Sequence, residues 1–234
     1  MKNALVTGST KGIGLQIGLD LLKSGYSVYF NGRTEPTPEL ETGVGSFLLN
    51  FIQADCSSIG SIDTIANQIP PTGLDALILN VGMTDRTTMA HMSLGNWNTV
   101  LRTNLTIPMF LIQRLYPSLN YNSKIIFITS ISGIVPDSVS IPYGVSKAAA
   151  NMLVKYLAKE LAHKKINVNA IAPGYTMTGW HQNKPQDQLA RIANKTLLNR
   201  FGTPKEISSV VQMLIKNDYI TGQILQVDGG FKLD

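Results

Sequence analysis

The sequence predicts an α/β fold, a single-domain doubly wound parallel sheet with helices on both faces, and three observations carry that prediction. Short apolar runs alternate with longer stretches of helical character along the chain. The runs are near-continuously apolar, as in strands buried on both faces of a parallel sheet. A glycine-rich turn follows the first run and opens the first helical stretch, the place where such sheets bind ligands beyond the carboxyl ends of their strands. Strands are predicted over 3–7 (NALVT), 27–31 (SVYFN), 47–53 (FLLNFIQ), 74–79 (LDALIL), 124–129 (KIIFIT), 166–172 (INVNAIA) and 223–227 (QILQV). Helices are predicted over 13–24, 58–68, 93–117, 143–163, 187–199 and 204–216. The last opens Thr203-Pro204-Lys205-Glu206, a cap residue followed by proline at the first helical position and an acid in the first turn. The connection 33–46 is interrupted by Pro36, Pro38, Gly43 and Gly45, so a loop or a single helical turn is expected there.

With 234 residues, no internal repeat and no linker, 1–234 is read as one domain. Charged residues make up 15% of the chain, below the roughly 25% typical of soluble domains, which suggests much buried surface and a homo-oligomer. The net charge of +5 comes without a Lys/Arg run. Nucleic acid is therefore not expected as a partner, whereas an anionic ligand is favoured, such as a nucleotide phosphate or an acidic carrier. Cys56 is the only cysteine, which excludes an intramolecular disulfide and a Cys-rich metal site. His91, His163 and His181 lie far apart in sequence, so no metal is expected and the three are read as surface groups. No apolar run approaches the ~18 residues of a membrane span, and MKNALVTGST has no signal-peptide pattern, so a cytoplasmic protein without membrane contact is expected.

The segment Thr7-Gly8-Ser9-Thr10-Lys11-Gly12-Ile13-Gly14 has the context of a nucleotide-binding turn. Gly8 permits the tight turn, Gly12 lets the backbone approach a pyrophosphate, and Gly14 allows the helix to pack closely on the sheet. The helix N-terminus adds unpaired N–H groups and partial positive charge. The plain alternative is a glycine-rich turn with no ligand.

The spacing Gly-x-x-x-Gly-x-Gly, with the motifs that follow it, resembles the short-chain dehydrogenase/reductase family, whose fold is Rossmann-like. Leu79-Asn80-Val81-Gly82 looks like that family's Asn-Asn-Ala-Gly motif, with two substitutions. Ser130, Tyr143 and Lys147 have the spacing of its catalytic residues, and Asn104 matches the asparagine of its extended tetrad. Pro173-Gly174 and Thr178 look like its Pro-Gly-x-x-x-Thr cofactor segment. The segments 200–207 (RFGTPKEI) and 221–230 (TGQILQVDGG) are similar to bacterial 3-oxoacyl-[acyl-carrier-protein] reductases, and the resemblance runs from residue 3 to about 231. It implies that Gly8, Ser9, Thr10, Lys11, Gly12, Ile13, Gly14, Asn80, Gly82, Pro173, Gly174 and Thr178 border the cofactor. It also implies that Asp55 contacts the adenine amino group, with Cys56 beside it. The plain alternative for Asp55 is a helix cap with Ser57.

Cofactor preference turns on the end of the second strand, where an NAD-preferring site places an acid. The family's acidic position falls on Gly32, and Arg33 follows it. A guanidinium there can pair with a 2′-phosphate, and Lys11 matches the basic position of NADP-preferring members, so NADP(H) is expected. Glu35 leaves an NAD alternative open.

Tyr143 and Lys147 stand four apart in a helical stretch and so project from one face. An adjacent ammonium, or positive charge on an oxidised nicotinamide, is expected to lower the phenol from its usual pKa near ~10. In reduction Tyr143 would give the proton while Ser130 hydrogen-bonds the substrate oxygen. The resemblance implies that Lys147 also holds the nicotinamide ribose and that Asn104 anchors Lys147 through a water. Asn104 is also compatible with satisfying backbone in a kinked helix, given Pro108, and Ser132 is a second serine at the site. The small residues from Gly144 to Ala150 permit close helix packing, and in this family that helix and 93–117 commonly form a dimer interface, often within a tetramer.

The segment 177–199 falls where the family carries its substrate lid, and Met177 and Trp180 are candidates to cover an apolar group. Docking of an acyl carrier protein needs basic residues flanking the cleft, and Lys164 and Lys165 are read as one side of that pattern. The expected activity is NADPH-dependent reduction of a ketone, with 3-oxoacyl thioesters leading. Another ketone or secondary alcohol, and a non-catalytic NADP(H)-sensing protein, are the alternatives.

Overall fold

A computed structural model of the chain describes residues 1–36, 38–45, 50–70, 73–136, 140–179, 181, 184–231 and 233, with Glu39 in its backbone alone. Seven strands form one parallel sheet: β1 (Lys2–Val6), β2 (Tyr26–Gly32), β3 (Asn50–Gln53), β4 (Leu74–Leu79), β5 (Leu119–Ile128), β6 (Asn167–Pro173) and β7 (Ile224–Val227). Their order is β3-β2-β1-β4-β5-β6-β7. The chain builds outward from β1 in one direction and then, from β4, in the other. The switch between β1 and β4 leaves a crevice at their carboxyl ends, where neither crossover covers the sheet.

Because successive strand residues face opposite ways, each strand feeds two cores. Leu5, Leu77, Leu79, Ile125 and Phe127 pack on one face against α3 (Ser61–Ala66), α5 (Ile107–Leu115) and α6 (Ile141–Glu160). Val6, Ile78, Ile126 and Ile128 pack on the other against α1 (Gly12–Lys23), α2 (Pro38–Val44) and α8 (Pro204–Lys216). Burial on both faces explains why the strands read as continuous apolar runs.

Five elements depart from expectation. β5 begins at Leu119, ahead of the predicted 124, and α3 covers only Ser61–Ala66 of 58–68. The 33–46 connection holds α2, seven residues long, where a loop or one turn is expected. Pro38 begins it, and at a first helical position the missing N–H costs nothing. The stretch predicted as one helix over 93–117 is divided into α4 (Leu94–Leu101), a π-helical turn (Arg102–Thr106) and α5. The helix expected over 187–199 is shorter, with α7 spanning Gln186–Ala193. Of the third predicted strand, residues 47–49 lie outside the described residues.

Candidate active site

The glycine turn lies across the crevice and is lashed to β4. Thr7 N donates to the Ile78 carbonyl (3.0 Å). Asn80 N donates to Thr7 Oγ1 (3.0 Å), and Asn80 Nδ2 donates to the carbonyls of Thr7 (3.1 Å) and Gly8 (2.9 Å). Gly8 and Gly12 both have φ of +59°, left-handed backbone that side chains rarely adopt. A Cβ on Gly14 would overlap the Gly8 carbonyl and the Asn80 amide, so the close helix approach expected of Gly14 is present.

A second brace went unread in the sequence. Asn31, buried near the end of β2, accepts from Gly8 N at Oδ1 (3.1 Å) and donates through Nδ2 to Ile52 O and Ala54 O (both 3.1 Å). Its backbone N–H goes to Ser9 Oγ (2.9 Å). An asparagine closing an otherwise apolar strand is the signal that was available, since a buried amide must find partners.

The N-terminus of α1 suits a phosphate group. Lys11 stands at its cap with extended backbone and no side-chain cap bond, and the first turn holds no acid. The first N–H groups of the helix therefore face the crevice with helix-dipole charge behind them. Arg33, like Lys11, is exposed. A Cβ at Gly32 would overlap the Thr10 methyl, so an acidic side chain there competes with Thr10 for space. Asp55 Oδ1 accepts from Ser57 N (2.9 Å), a turn ahead of α3 and not its cap, since α3 is entered at Gly60 with no side-chain cap bond. Cys56 turns its thiol inward to Asn31 Oδ1 (3.4 Å), and burial pushes that thiol up to about 12. Pro173 ends β6, and the following segment brings Thr178 to within 3.5 Å of a Cβ position at Gly12.

Ser130, Tyr143 and Lys147 meet at the carboxyl end of β5. Ser130 caps the short helical turn Ile131–Gly133, its Oγ accepting from Ser132 N (3.1 Å), and it hydrogen-bonds the Tyr143 phenol. That contact makes Ser130, not Ser132, the partner of Tyr143. Ser140 caps α6 by accepting from Tyr143 N (3.4 Å), which fixes Tyr143 in the first turn. Lys147, one turn on and buried, donates to the Ile128 carbonyl (2.9 Å), with its Nζ 5.7 Å from the Tyr143 ring centroid. A Cβ at Gly82 would lie 3.4 Å from Lys147 Nζ, so the nucleotide crevice and the Tyr143/Lys147 pair adjoin.

Burial pushes the Tyr143 phenol above its ordinary value, and the Ser130 hydrogen bond opposes this without cancelling it. Burial alone brings Lys147 down to about 8. The expected lowering of Tyr143 by its neighbour is thus not achieved by the protein's own groups. Lys147 is buried and Tyr143 half-buried, and the loss of water disfavours both charged forms.

Asn104 sits in the π-turn. Pro108, four residues on, has no N–H to give the Asn104 carbonyl, which breaks the regular ladder. The Asn104 side chain is buried and accepts from Met83 N while donating to Met83 O, both at 2.8 Å. It does satisfy backbone, but that of the loop after β4 and not of its own helix.

Other expectations fare differently. Met177 is exposed beside Gly202, and Trp180 lies outside the described residues. Lys164 and Lys165 precede β6 and lie at the amino edge of the sheet, opposite Ser130 and Tyr143. Lys164 Nζ rests 4.1 Å from the Tyr116 ring centroid and donates to the Tyr116 and Leu119 carbonyls. These lysines do not flank the cleft of their own chain. His181 is no surface group: it is half-buried against Tyr175 (5.8 Å) and Phe201 (5.1 Å). Among the described residues no cluster of three or more His, Cys, Asp or Glu could hold a metal, and no helix is long and apolar enough to cross a membrane.

The model of the family described as enoyl-(acyl carrier protein) reductase matches residues 8–232. The chain is 32% identical over 241 residues to the 3-oxoacyl-[acyl-carrier-protein] reductase FabG of Staphylococcus aureus (strain Mu50), covering 98% of this chain and 97% of that protein. It is also 32% identical over 247 residues to a tropinone reductase homolog of Arabidopsis thaliana, covering 100% and 93%. Among solved structures, the Pseudomonas aeruginosa RhlG/NADP active-site complex is 30% identical with a TM-score of 0.91, over 98% of this chain and 96% of that one. Sequence match and fold agree over nearly the whole chain, and it belongs to the short-chain dehydrogenase/reductase family of oxidoreductases.

Proposed function

We propose that the chain, acting as one domain over 1–234, is an NADP(H)-dependent reductase that turns a ketone into a secondary alcohol, with 3-oxoacyl thioesters as its substrate class. The observation that carries the reading is the meeting of the Ser130–Tyr143 hydrogen bond and buried Lys147 with Gly82 at the edge of the glycine-turn crevice. In this reading Gly8 to Gly14 and the N-terminus of α1 hold the pyrophosphate, and Arg33 and Lys11 take the 2′-phosphate. Asp55 and the Cys56 backbone border the adenine, while Asn80, Gly82, Pro173, Gly174 and Thr178 line the remainder. NADPH, when bound, supplies the hydride. Tyr143 Oη gives its proton to the substrate carbonyl oxygen, and Ser130 Oγ hydrogen-bonds that same oxygen as charge develops on it. Lys147 then stabilises the phenolate left on Tyr143, and Asn104 holds the Met83 loop against the pair. The RhlG complex with NADP and the FabG relative support the cofactor and the substrate class.

A second reading, reduction of some other ketone, is favoured by the position of Lys164 and Lys165 away from the cleft and by the tropinone reductase homolog at equal identity. NADPH oxidation measured against NADH, with an acetoacetyl thioester on coenzyme A and on carrier protein, separates the two. Tyr143-dependent turnover that improves on the carrier supports acyl-carrier chemistry. NADPH binding without thioester turnover moves the assignment to other ketones.

A further inference from the structure

We propose that Ser146 is a positioning residue of this reaction, its hydroxyl clasping the π-turn to α6 and so fixing where Tyr143 and Lys147 stand. The proposal rests on the carbonyl-reductase reading above. Ser146 is fully buried and precedes Lys147 directly. Its Oγ accepts from Asn104 Nδ2 (2.9 Å) and donates to the Tyr143 main-chain carbonyl (2.8 Å). The second Nδ2 proton of Asn104 goes to Met83 O, and Asn104 Oδ1 receives Met83 N.

The donors form a directed chain. Asn104, with both amide protons committed, grips the loop after β4 and Ser146 together. Ser146, with its single proton committed, passes the grip to the backbone of Tyr143. Three segments distant in sequence are thereby held in one register: the Met83 loop, the π-turn and the first turn of α6. The π-turn is irregular because Pro108 cannot complete its ladder, so an external tie is what keeps it in place. A merely small residue that lets helices pack closely would be served better by alanine, the stronger helix former. A hydroxyl in a fully buried position is retained at no loss only when both of its bonds are made.

The test compares Ser146→Ala, Asn104→Ala and the double variant, with Tm and NADPH affinity measured alongside. On any ketone the wild-type protein reduces, Ser146→Ala is expected to lower kcat about tenfold and leave the KM for NADPH within about twofold. The double variant is expected to be no slower than Asn104→Ala alone, because neighbours acting through one another are not additive. A substrate-free readout accompanies this: the ultraviolet titration of Tyr143 in the NADP⁺ complex, taken as the difference from Tyr143→Phe. Its midpoint is expected to move upward in Ser146→Ala. Wild-type kcat, additive losses or an unmoved titration would overturn the proposal. If the wild-type protein reduces no ketone, the carbonyl-reductase reading fails and the titration alone decides for or against Ser146. If Ser146→Ala fails to bind NADP⁺, Ser146→Thr, which keeps the hydroxyl, takes its place. A wild-type midpoint in the threonine variant supports the proposal, and a shifted one overturns it.

Discussion

Lys147 carries its ammonium on the Ile128 carbonyl with no acid beside it among the described residues, and burial holds it at about 8 instead of 10.5. Its folded value lies below its unfolded one, so the unfolded chain binds more protons between those limits and stability rises with pH across that window. The burden is greatest below pH 8. Lys147→Met is therefore expected to raise Tm by a few degrees at pH 7 while abolishing turnover, the gap from wild type closing as pH nears 10.5. Thermal melts across pH check it. Tyr143→Phe should cost about 10²–10⁴ in kcat with NADPH affinity retained, as loss of a general acid does. Arg33→Asp should raise the KM for NADPH at least ~10-fold and leave that for NADH nearly unchanged, since a charge-assisted phosphate contact is worth about one decade or more. Ser130, Tyr143 and Lys147 are legible in the sequence because their spacing is fixed by one strand end and one helix face. The bracing roles of Asn31 and Ser146 are not, because Gly8 and Asn104, the groups they hold, stand some 20 to 40 residues away along the chain. Spacing likewise reveals a neighbour and not how much water both have lost, so it does not give the direction in which the protein's own groups move Tyr143.

At the scale of elements, α1 and α8 are joined through a buried carboxylate. Burial pushes Asp20 up, but hydrogen bonds from Lys205 (2.8 Å), Ser208 (2.7 Å) and Gln16 (3.1 Å) outweigh it and hold the group below its ordinary value. A lowered folded pKa contributes stability that is present above the unfolded value and lost as pH falls through the folded one. Asp20→Asn should thus cost roughly 1–3 kcal/mol at pH 7, with the difference from wild type shrinking below about pH 4. Urea melts at the two pH values decide this. The capping box at Thr203 and Glu206 that opens α8 was readable residue by residue, and the helix starts where it predicts. The prolines of 33–46 misled because a proline breaks a helix only in its interior, and Pro38 stands at the start of α2. The π-turn was foreshadowed by Pro108, but its register depends on Asn104 reaching Met83, a tertiary contact.

Over the whole molecule, the parallel sheet sends every carboxyl strand end to one edge and every amino end to the other. The continuous apolar runs made this architecture legible, and the position of Lys164 and Lys165 just before a strand already assigns them to the amino edge. On that edge Lys124, buried at the side chain, bonds Asn167 Oδ1 and the Asn217 carbonyl and pairs with Asp218 at 2.7 Å. Asp218 remains in solvent, so removing Lys124 strands the two uncharged acceptors more than it strands a charge. Lys124→Met should lower Tm by about 3–10 °C, from ~1–3 kcal/mol of unmet hydrogen bonding, and leave kcat and every KM unchanged. Melting curves and steady-state kinetics on one preparation test both halves. Distant sites add independently, and here the sheet itself supplies the distance. A lineage, or an engineer, can consequently revise the amino rim for heat tolerance without renegotiating the substrate cleft on the opposite rim.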